Sequence, residues 1–376
     1  RWRRAELPRR AFLAAVLAAL VPVAGLLLPH GLPTVERWAD DLRFRAAPAR
    51  PPDPRILLVT IDDASLAAGA KPLAGWADEL GHTLDRVFAA GARGVAIDFV
   101  LPDSWSASQG FSELVLRHSE ALTLAAFSKP EGNILGTGSI AGLTTVALGP
   151  QRSSALFGFV NLDEDSDGVV RHGRLGFRDS EGGIRPSWAV RAARAISSIP
   201  ATYGIKSFWI DPRIDRSGFA RISWQDVPVA LATRPWVFRD RLVLVGGDFV
   251  DDVHRISQRS GEAERVPGLV LQALMVDTIA AGLPVREATA APFLAGAALW
   301  IGLATAAVLL VRKLLPALAV LLGSLLLYLY LSIPVFQRTG LLLPVTAPLL
   351  PALGALALAV ILRRALSPIP SWRPTS

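Results

Sequence analysis

Acidic residues follow three apolar segments that have the length and composition of buried strands. Asp62 and Asp63 come after LLVTI, Asp98 comes after GVAI, and Asp248 comes after LVLVGG. In open α/β sheets, ligands bind outside the carboxyl ends of the strands. Several carboxylates at one such edge could bind a cationic group or hold basic side chains in place. We therefore predict these four aspartates as ligand-binding residues; the alternative is that each caps the helix or loop after it.

Other motifs that carry chemistry are absent from the sequence. We find no nucleophile elbow, no zinc-protease helix and no phosphate-binding glycine loop. The five histidines are dispersed and there is no cysteine, so no metal-ligand spacing occurs. Gly246 and Gly247 follow an apolar run and are interpreted as a turn. We therefore expect neither an enzyme activity, nor a cofactor, nor a bound metal.

One segment imitates the start of a calcium-binding loop. Asp163, Asp165 and Asp167-Gly168 match its first positions, but a carboxylate is required at its twelfth position. Counting from Asp163, that position is Arg174, a cation. The segment is therefore predicted to be a tight turn with hydrogen bonds from the aspartate side chains.

Apolar runs alternate with helical stretches, which favours an α/β fold. The runs RILLVTIDD and GARGVAIDFVLPD flank a helical stretch at 76–90 and predict a right-handed parallel unit. A third run, RLVLVGGDFVDD, has the same form. We therefore predict an α/β extracytoplasmic domain with a mixed, partly parallel sheet. Further predicted elements are a helix over 34–44, a Pro-rich break over 48–54, a β-hairpin or meander over 154–179 with turns at Gly158 and Asp167-Gly168, and helices over 186–199 and 267–281, the last capped by Gly282.

Four segments are apolar enough to be transmembrane α-helices, one N-terminal and three C-terminal. The first lacks the small-x-small cleavage site of a signal peptide, so an uncleaved anchor is expected. No Asp, Glu or His lies within these segments, which argues against an ion or proton pathway. The predicted spans are 11–29, 291–311, 314–333 and 341–362.

Basic residues at the ends of the spans set the orientation. By the positive-inside rule, the basic tail 1–10, Arg312-Lys313 and the tail 363–376 are cytoplasmic. Residues 30–290 are then outside, and they carry 28 basic and 31 acidic residues against a net charge of +7 for the whole chain. The excess of basic residues therefore lies at the flanks of the spans and does not indicate a nucleic-acid surface.

Seven segments, taken in order, resemble the CHASE2 family of extracellular sensor domains. Their order over about 250 residues, with one span before and three after, is what makes the resemblance specific. A tryptophan-rich segment common in that family is represented here only by KPLAGW at 71–76. The matching segments are DLRFR from Asp41, RILLVTIDDASL, GARGVAIDFVLPD, GFVNLDEDSDGVVRHGRL, PSWA from Pro186, RLVLVGGDFVDD and PGLVLQA from Pro267.

The resemblance implies a receptor of the bacterial plasma membrane, with the large domain periplasmic or extracellular. An unknown extracytoplasmic ligand would shift the first span relative to the second, and a cytoplasmic kinase or cyclase would read that shift. The residues after Arg364 are too few for an output domain, so the effector is expected to be missing from this chain or to be a separate protein. Membrane lipids are expected partners, and a homodimer is expected by analogy with other sensors.

Two other functions remain open at the level of sequence. One is an envelope assembly or scaffold protein that holds a partner without signalling. The other is an envelope enzyme that uses Asp62, Asp98 and Asp248, although no base, nucleophile or metal set accompanies them.

Overall fold

The computed structural model describes residues 33–69, 72–128, 134–135, 137–179, 182–199, 204–249, 252–257, 264–288 and 314–345. These residues divide into two compact units. The larger unit is Pro48–Val285, and the smaller unit combines described residues of Arg1–Ala47 and Arg286–Ser376.

The larger unit is built on a seven-stranded sheet, in the order β10–β1–β11–β2–β3, with β5 and β4 also pairing with β3. All its pairings are parallel except that of β4, which is antiparallel. Smaller antiparallel pairs are formed by β6 with β9, β7 with β8, and β12 with β13. The strands of this unit are β1 (Ile56–Ile61), β2 (Gly94–Val100), β3 (Leu122–Ser128), β4 (Ile134–Leu135), β5 (Phe157–Phe159), β6 (His172–Arg174), β7 (Gly176–Arg178), β8 (Ile184–Pro186), β9 (Ser207–Trp209), β10 (Ala220–Ser223), β11 (Leu242–Gly247), β12 (Val253–Ile256) and β13 (Glu264–Pro267).

Helices cover both faces of this sheet, which explains why β1 and β11 are continuous apolar runs. All six residues of each of these strands are buried. Leu57 and Val59 pack with α3, α4 and α8 on one face, and Ile56 and Leu58 pack with α7 and α9 on the other. The α-helices of the described chain are α1 (Pro33–Ala46), α2 (Asp63–Gly69), α3 (Ala77–Ala89), α4 (Gln109–Arg117), α5 (Gly138–Leu148), α6 (Pro150–Leu156), α7 (Trp188–Ala193), α8 (Val227–Thr233), α9 (Gly268–Ala280) and α10 (Leu314–Thr339), and the short 3-10 helices are Leu73–Gly75, Asp103–Ala107, Arg216–Gly218, Trp224–Asp226 and Pro235–Val237.

The predicted mixed α/β fold with a partly parallel sheet is confirmed. The strand, helix and strand predicted around residues 76–90 are β1, α3 and β2. The helix predicted over 267–281 is α9, and Gly282 after it has a φ of +79°, as its role in ending a helix requires. The helix predicted over 186–199 begins as expected, with the Ser187 side chain accepting from the Val190 N–H, but it ends at Ala193.

Gly158 is not at a turn, so that prediction is wrong. It is the middle residue of β5, which joins the parallel sheet beside β3. A Cβ atom at Gly158 would fall 2.5 Å from the Cα atom of Trp188, so the glycine permits two backbone segments to approach closely. The predicted hairpin is also wrong in its pairing, because β6 and β7 pair with β9 and β8 rather than with each other.

The smaller unit contains α1, α10 and a short parallel pair of strands, β14 (Arg286–Glu287) and β15 (Leu341–Leu342). Arg43 of α1 is only 1% exposed. Its Nε donates to Ser332 Oγ at 3.0 Å, its Nη1 donates to Asp40 Oδ1 at 2.5 Å, and its Nη2 donates to the carbonyl of Leu343 at 2.6 Å. One buried guanidinium therefore joins α1, α10 and the segment after β15.

Two further contacts hold the same three segments of the smaller unit together. The Glu36 carboxylate accepts from the backbone N–H of Val345 at 2.9 Å. At the other end of α1, Gln337 Nε2 donates to the carbonyl of Ala46 at 2.7 Å. Polar contacts therefore run along the whole length of α1.

The four predicted spans are only partly covered by the structure. The segments 11–29 and 291–311 lie outside the described residues, and only the first five residues of 341–362 are described. The segment 314–333 lies on α10. No helix within the described ranges is long and apolar enough to span a membrane.

Candidate functional site

The parallel strands bring the predicted acidic residues to one edge of the sheet. Ile61 of β1 is in register with Gly247 of β11, and Gly246 is in register with Asp98 of β2. Asp62 and Asp248 therefore follow neighbouring strands, and Asp98 lies on the next strand. That ligands bind at these residues stays a prediction.

Asp62 makes contacts that secure the local structure. Its Oδ1 accepts from the Ser65 N–H at 2.8 Å and from Ser65 Oγ at 2.6 Å, while Ser223 Oγ donates to its Oδ2 at 3.1 Å. These hydrogen bonds, first of all the one from the Ser65 hydroxyl, lower the pKa of Asp62. Asp63 is the exposed first residue of α2. At Asp62 the structure shows what the capping alternative describes.

Asp98 has different surroundings. Its side chain lies on the face of the sheet that α9 covers, because Ala96, two residues earlier, packs in that core cluster. No described residue forms a hydrogen bond with the Asp98 carboxyl group. Burial, and secondly the nearby carboxylate of Asp252, raise the pKa of Asp98 well above its ordinary value.

Gly246 explains how Asp98 and α9 fit together. A Cβ atom at Gly246 would lie 2.9 Å from Leu269 Cδ1 and 3.2 Å from Asp98 Cβ. Gly246 and Gly247 are the last two residues of β11, so their interpretation as a turn is wrong. At position 246, the glycine provides the space that brings the first turn of α9 against the sheet beside Asp98.

Asp252 is the residue of this edge that the sequence did not reveal. Its carbonyl accepts from the Gly268 N–H at 3.1 Å, at the start of α9. A Cβ atom at Gly268 would lie 2.5 Å from Asp252 Oδ2, so a larger residue at this position would displace the carboxylate. Asp252 Oδ1 also lies 3.1 Å from His254 Nε2. The only signal in the sequence is an aspartate pair after an apolar run, followed at a distance by Pro-Gly.

Asp98 and Asp252 together define what this edge can do chemically. Two neighbouring carboxyl groups can accept hydrogen bonds from hydroxyl, amide or ammonium groups of a ligand. Asp248 lies beside them, with its N–H bound to the carbonyl of Ile61 at 3.0 Å. Among the described residues, no group of three or more His, Cys, Asp or Glu side chains is placed to hold a metal ion.

The calcium-like segment is a tight turn, as predicted. The Asp167 Oδ1 atom accepts from the Val169 N–H at 3.3 Å, and Gly168 has a φ of +71°. The buried Arg171 lies 2.7 Å from Asp165 and 3.0 Å from Asp167. Arginines therefore neutralise these carboxylates within the fold.

A second ionic cluster lies at the opposite edge of the sheet, where the chain enters and leaves the larger unit. Arg50 Nη2 lies 2.6 Å from Asp277 Oδ1, and Arg50 Nε donates to Asp211 Oδ2 at 2.7 Å. The Asp53 N–H donates to Asp277 Oδ2 at 2.6 Å. Asp277 lies in the last turn of α9, so the entering segment is bound directly to the last helix.

The larger unit is therefore a three-layer α/β domain whose last helix, α9, is bound to the segment by which the chain enters it. The family model for the CHASE2 domain matches residues 14–311. The chain therefore belongs to the CHASE2 family, a family of extracellular sensor domains. No curated protein and no solved structure is detectably similar to it.

We expect Asp98→Asn to stabilise the larger unit at neutral pH. Because the pKa of Asp98 is raised, the folded state binds a proton that the unfolded state releases above about pH 4, and this lowers stability as the pH rises. An uncharged amide removes this pH-dependent penalty, with a gain of about 1 kcal/mol or more near pH 7, since one unit of pKa corresponds to about 1.4 kcal/mol. The gain should vanish below about pH 4.

The measurement is urea unfolding of the full chain in detergent at both pH values. Asp63→Asn is the matched control, since its carboxylate is exposed, and its effect should stay below about 1 kcal/mol. Destabilisation by Asp98→Asn near pH 7 would show that the carboxylate has a bound partner.

Proposed function

We propose that this chain is a multi-pass sensor of a bacterial plasma membrane, with residues 30–290 outside and both termini in the cytoplasm. The four apolar segments at 11–29, 291–311, 314–333 and 341–362 act as its transmembrane helices, as their length and flanking basic residues indicate. The outer domain binds a ligand at the carboxyl edge of its sheet. A cytoplasmic kinase or cyclase reads the result, and the chain itself has no catalytic activity.

The main support for this proposal is the position of helix α9. It begins beside Asp252 and Asp98 and has thirteen residues, a length of about 20 Å. It ends at the opposite edge of the sheet, five residues before the unit ends at Val285. A displacement of its first turn by a ligand would therefore reach the point where the chain leaves the domain.

The ionic cluster at that point links the end of α9 to the segment by which the chain enters the larger unit. A displacement of α9 would therefore affect both the entering and the leaving segment. Asp277 of α9 is bound to Arg50 and to the Asp53 N–H, which lie just after the start of the larger unit at Pro48. A ligand shifts the signalling equilibrium only if it binds one arrangement of α9 more tightly than another. Arg50 and Asp277 are the groups whose contacts would differ between the two arrangements.

The smaller unit supports a collective response of the four spans. Its described parts adjoin all four of them. Helix α1 follows the first predicted span, β14 precedes the second, α10 contains the third, and β15 begins the fourth. Hydrogen bonds join α1 to α10 and β14 to β15.

The test uses the absence of natural cysteines, which makes introduced thiols unique reporters. Arg10→Cys and Lys313→Cys place thiols at the predicted cytoplasmic ends of two spans. We expect Arg50→Met to change the rate of disulfide formation between them in native membranes by about fivefold or more, because it breaks the link to Asp277. Arg93→Met is the control, since it removes only an exposed contact with Asp240 at 3.3 Å. Equal rates in both variants would contradict the proposal.

Topology and output are tested on the same membranes. An impermeant maleimide should label Ala49→Cys in intact cells, but Lys313→Cys only after the membrane is opened. Cross-linking followed by purification should then recover a cytoplasmic kinase or cyclase. Recovery of envelope proteins alone would favour the scaffold function, and an activity abolished by Asp98→Asn would favour the enzyme.

A further inference from the structure

A cavity of about 260 Å³ opens at β3 and β5, which lie beyond β2 in the sheet and are separated by it from the acidic strand ends of β1 and β11. Ala126 of β3 and Phe157 and Phe159 of β5 form one wall, and Ala141 of α5 and Pro150 of α6 form part of the other. Pockets for drug-sized ligands measure roughly 300–1,000 Å³, so this cavity fits a smaller molecule. Slightly more than half of its wall is apolar.

The polar groups of the cavity are one guanidinium and several hydroxyl groups. Arg185 lines it, and its Nη1 donates to Ser154 Oγ at 2.6 Å. Its Nε donates to Asp179 Oδ2 at 2.8 Å, which fixes the plane of the guanidinium. Ser154, Thr137 and Thr145 also line the cavity. A guanidinium and hydroxyl donors in an apolar wall suit a planar anionic oxygen pair with a short hydrocarbon body.

We propose that this cavity binds a small organic carboxylate, with its oxygens at Arg185 and Ser154 and its hydrocarbon body against Phe157 and Phe159. The carboxylate's role as a second signal, bound apart from the acidic edge, rests on the sensor function proposed above. The binding of the carboxylate does not depend on that function, because the cavity lies wholly within the larger unit. Among the described residues, Arg185 is the only cation that lines the cavity.

The position of Arg185 connects the cavity to α9. Arg185 lies in β8, and Ser187, one residue after that strand, caps α7. Helices α7 and α9 share one buried cluster, in which Trp188 and Ala192 of α7 pack with Leu271 and Met275 of α9. A carboxylate that draws Arg185 toward the cavity therefore acts on the beginning of α7, and through it on the helix that leads out of the domain.

The experiment is an equilibrium titration of the full chain in detergent with sodium butyrate at constant ionic strength. Butyramide, which has the same shape without the charge, is the control ligand. We expect butyrate to bind and butyramide to bind at least about tenfold more weakly, because a hydrogen bond to a charged group is the stronger kind. Absence of butyrate binding, or equal binding of both, would overturn the proposal.

Variants locate the ligand. Arg185→Gln should weaken butyrate binding by about tenfold or more. Because this change also releases Asp179, a second variant leaves Arg185 intact: Ala141→Leu fills the cavity and should abolish binding. Ala147→Leu makes the same change at an exposed position of α5 and should leave binding unchanged. Equal loss in both α5 variants would place the ligand elsewhere.

Disulfide formation between the thiols at positions 10 and 313 tests whether ligand binding in the cavity also produces a signal. Butyrate should change the rate of disulfide formation in the otherwise unaltered chain, and Ala141→Leu should remove that change. Binding without any change in rate would leave the cavity as a ligand site and overturn the proposed signalling role.

Discussion

Replacing Arg43 by methionine is expected to open the smaller unit, at a cost of roughly 3–5 kcal/mol. The guanidinium is buried and donates to Asp40, Ser332 and the carbonyl of Leu343. Methionine fills similar space but leaves these acceptors without their donor. Hydrogen exchange of the α1 amides in the full chain measures this opening, and it should accelerate by about 10²–10⁴-fold.

The loss should depend on pH. Burial, opposed by Arg43, raises the pKa of Asp40 to about 7. Near pH 5 the folded protein already holds Asp40 neutral, so removing its cation costs less than near pH 8, where the variant must take up a proton. Arg45→Met is the matched control on the same helix, because Arg45 is exposed. Equal acceleration in the two variants would show that the buried contacts do not hold α1 in place.

The second large effect is expected from Asp211→Asn, which should destabilise the larger unit by roughly 3–5 kcal/mol. The Asp211 side chain is fully buried and accepts from Arg50 Nε at 2.7 Å and Arg213 Nε at 2.8 Å. An asparagine amide would direct its own N–H groups at one of these cations. Urea unfolding monitored by tryptophan fluorescence measures the loss, since Trp76 and Trp188 are buried in this unit.

The pH dependence of this second effect follows from the pKa of Asp211. Burial raises that pKa, but the hydrogen bonds from Arg213 and Arg50 outweigh burial and leave it below its ordinary value. The stabilisation by Asp211 is therefore complete above about pH 4 and is lost as the pH falls further. Asp240→Asn is the control: Asp240 is 70% exposed, and asparagine tolerates its φ of +59°. A loss near 1 kcal/mol or less at both positions would contradict the role of the ionic cluster.

The sequence predicted the elements whose signal is local. Strands β1, β2 and β11 are continuous apolar runs because helices cover both faces of the sheet. Helix α9 has Pro-Gly at its start and Gly282 at its end, which are local signals as well. The order of the strands is not local: β11 lies between β1 and β2 only because of tertiary packing. Strand β10 is short and only partly buried, so no apolar run revealed it.

The sequence predicted part of the candidate site. The rule for parallel strands placed Asp62, Asp98 and Asp248 at one edge, but spacing could not separate a capping aspartate from one whose pKa is raised. Asp62 is occupied by Ser65 and Ser223, whereas Asp98 packs against Gly246. Asp252 became visible only through its contact with Gly268. Arg43 lies in a helix that the sequence predicted, yet nothing in its neighbours shows that this arginine is buried.

The salt bridge between Arg50 and Asp277 also affects how such a domain can be exchanged between proteins. Because the entering and leaving segments of Pro48–Val285 are bound to each other, a host protein needs only one short gap at which to receive it. The domain can therefore be transferred to another protein together with the salt bridge that joins its two ends. Grafting it between the membrane anchors of another receptor, with both charges retained, should preserve its fold, while the new anchors determine which output it controls.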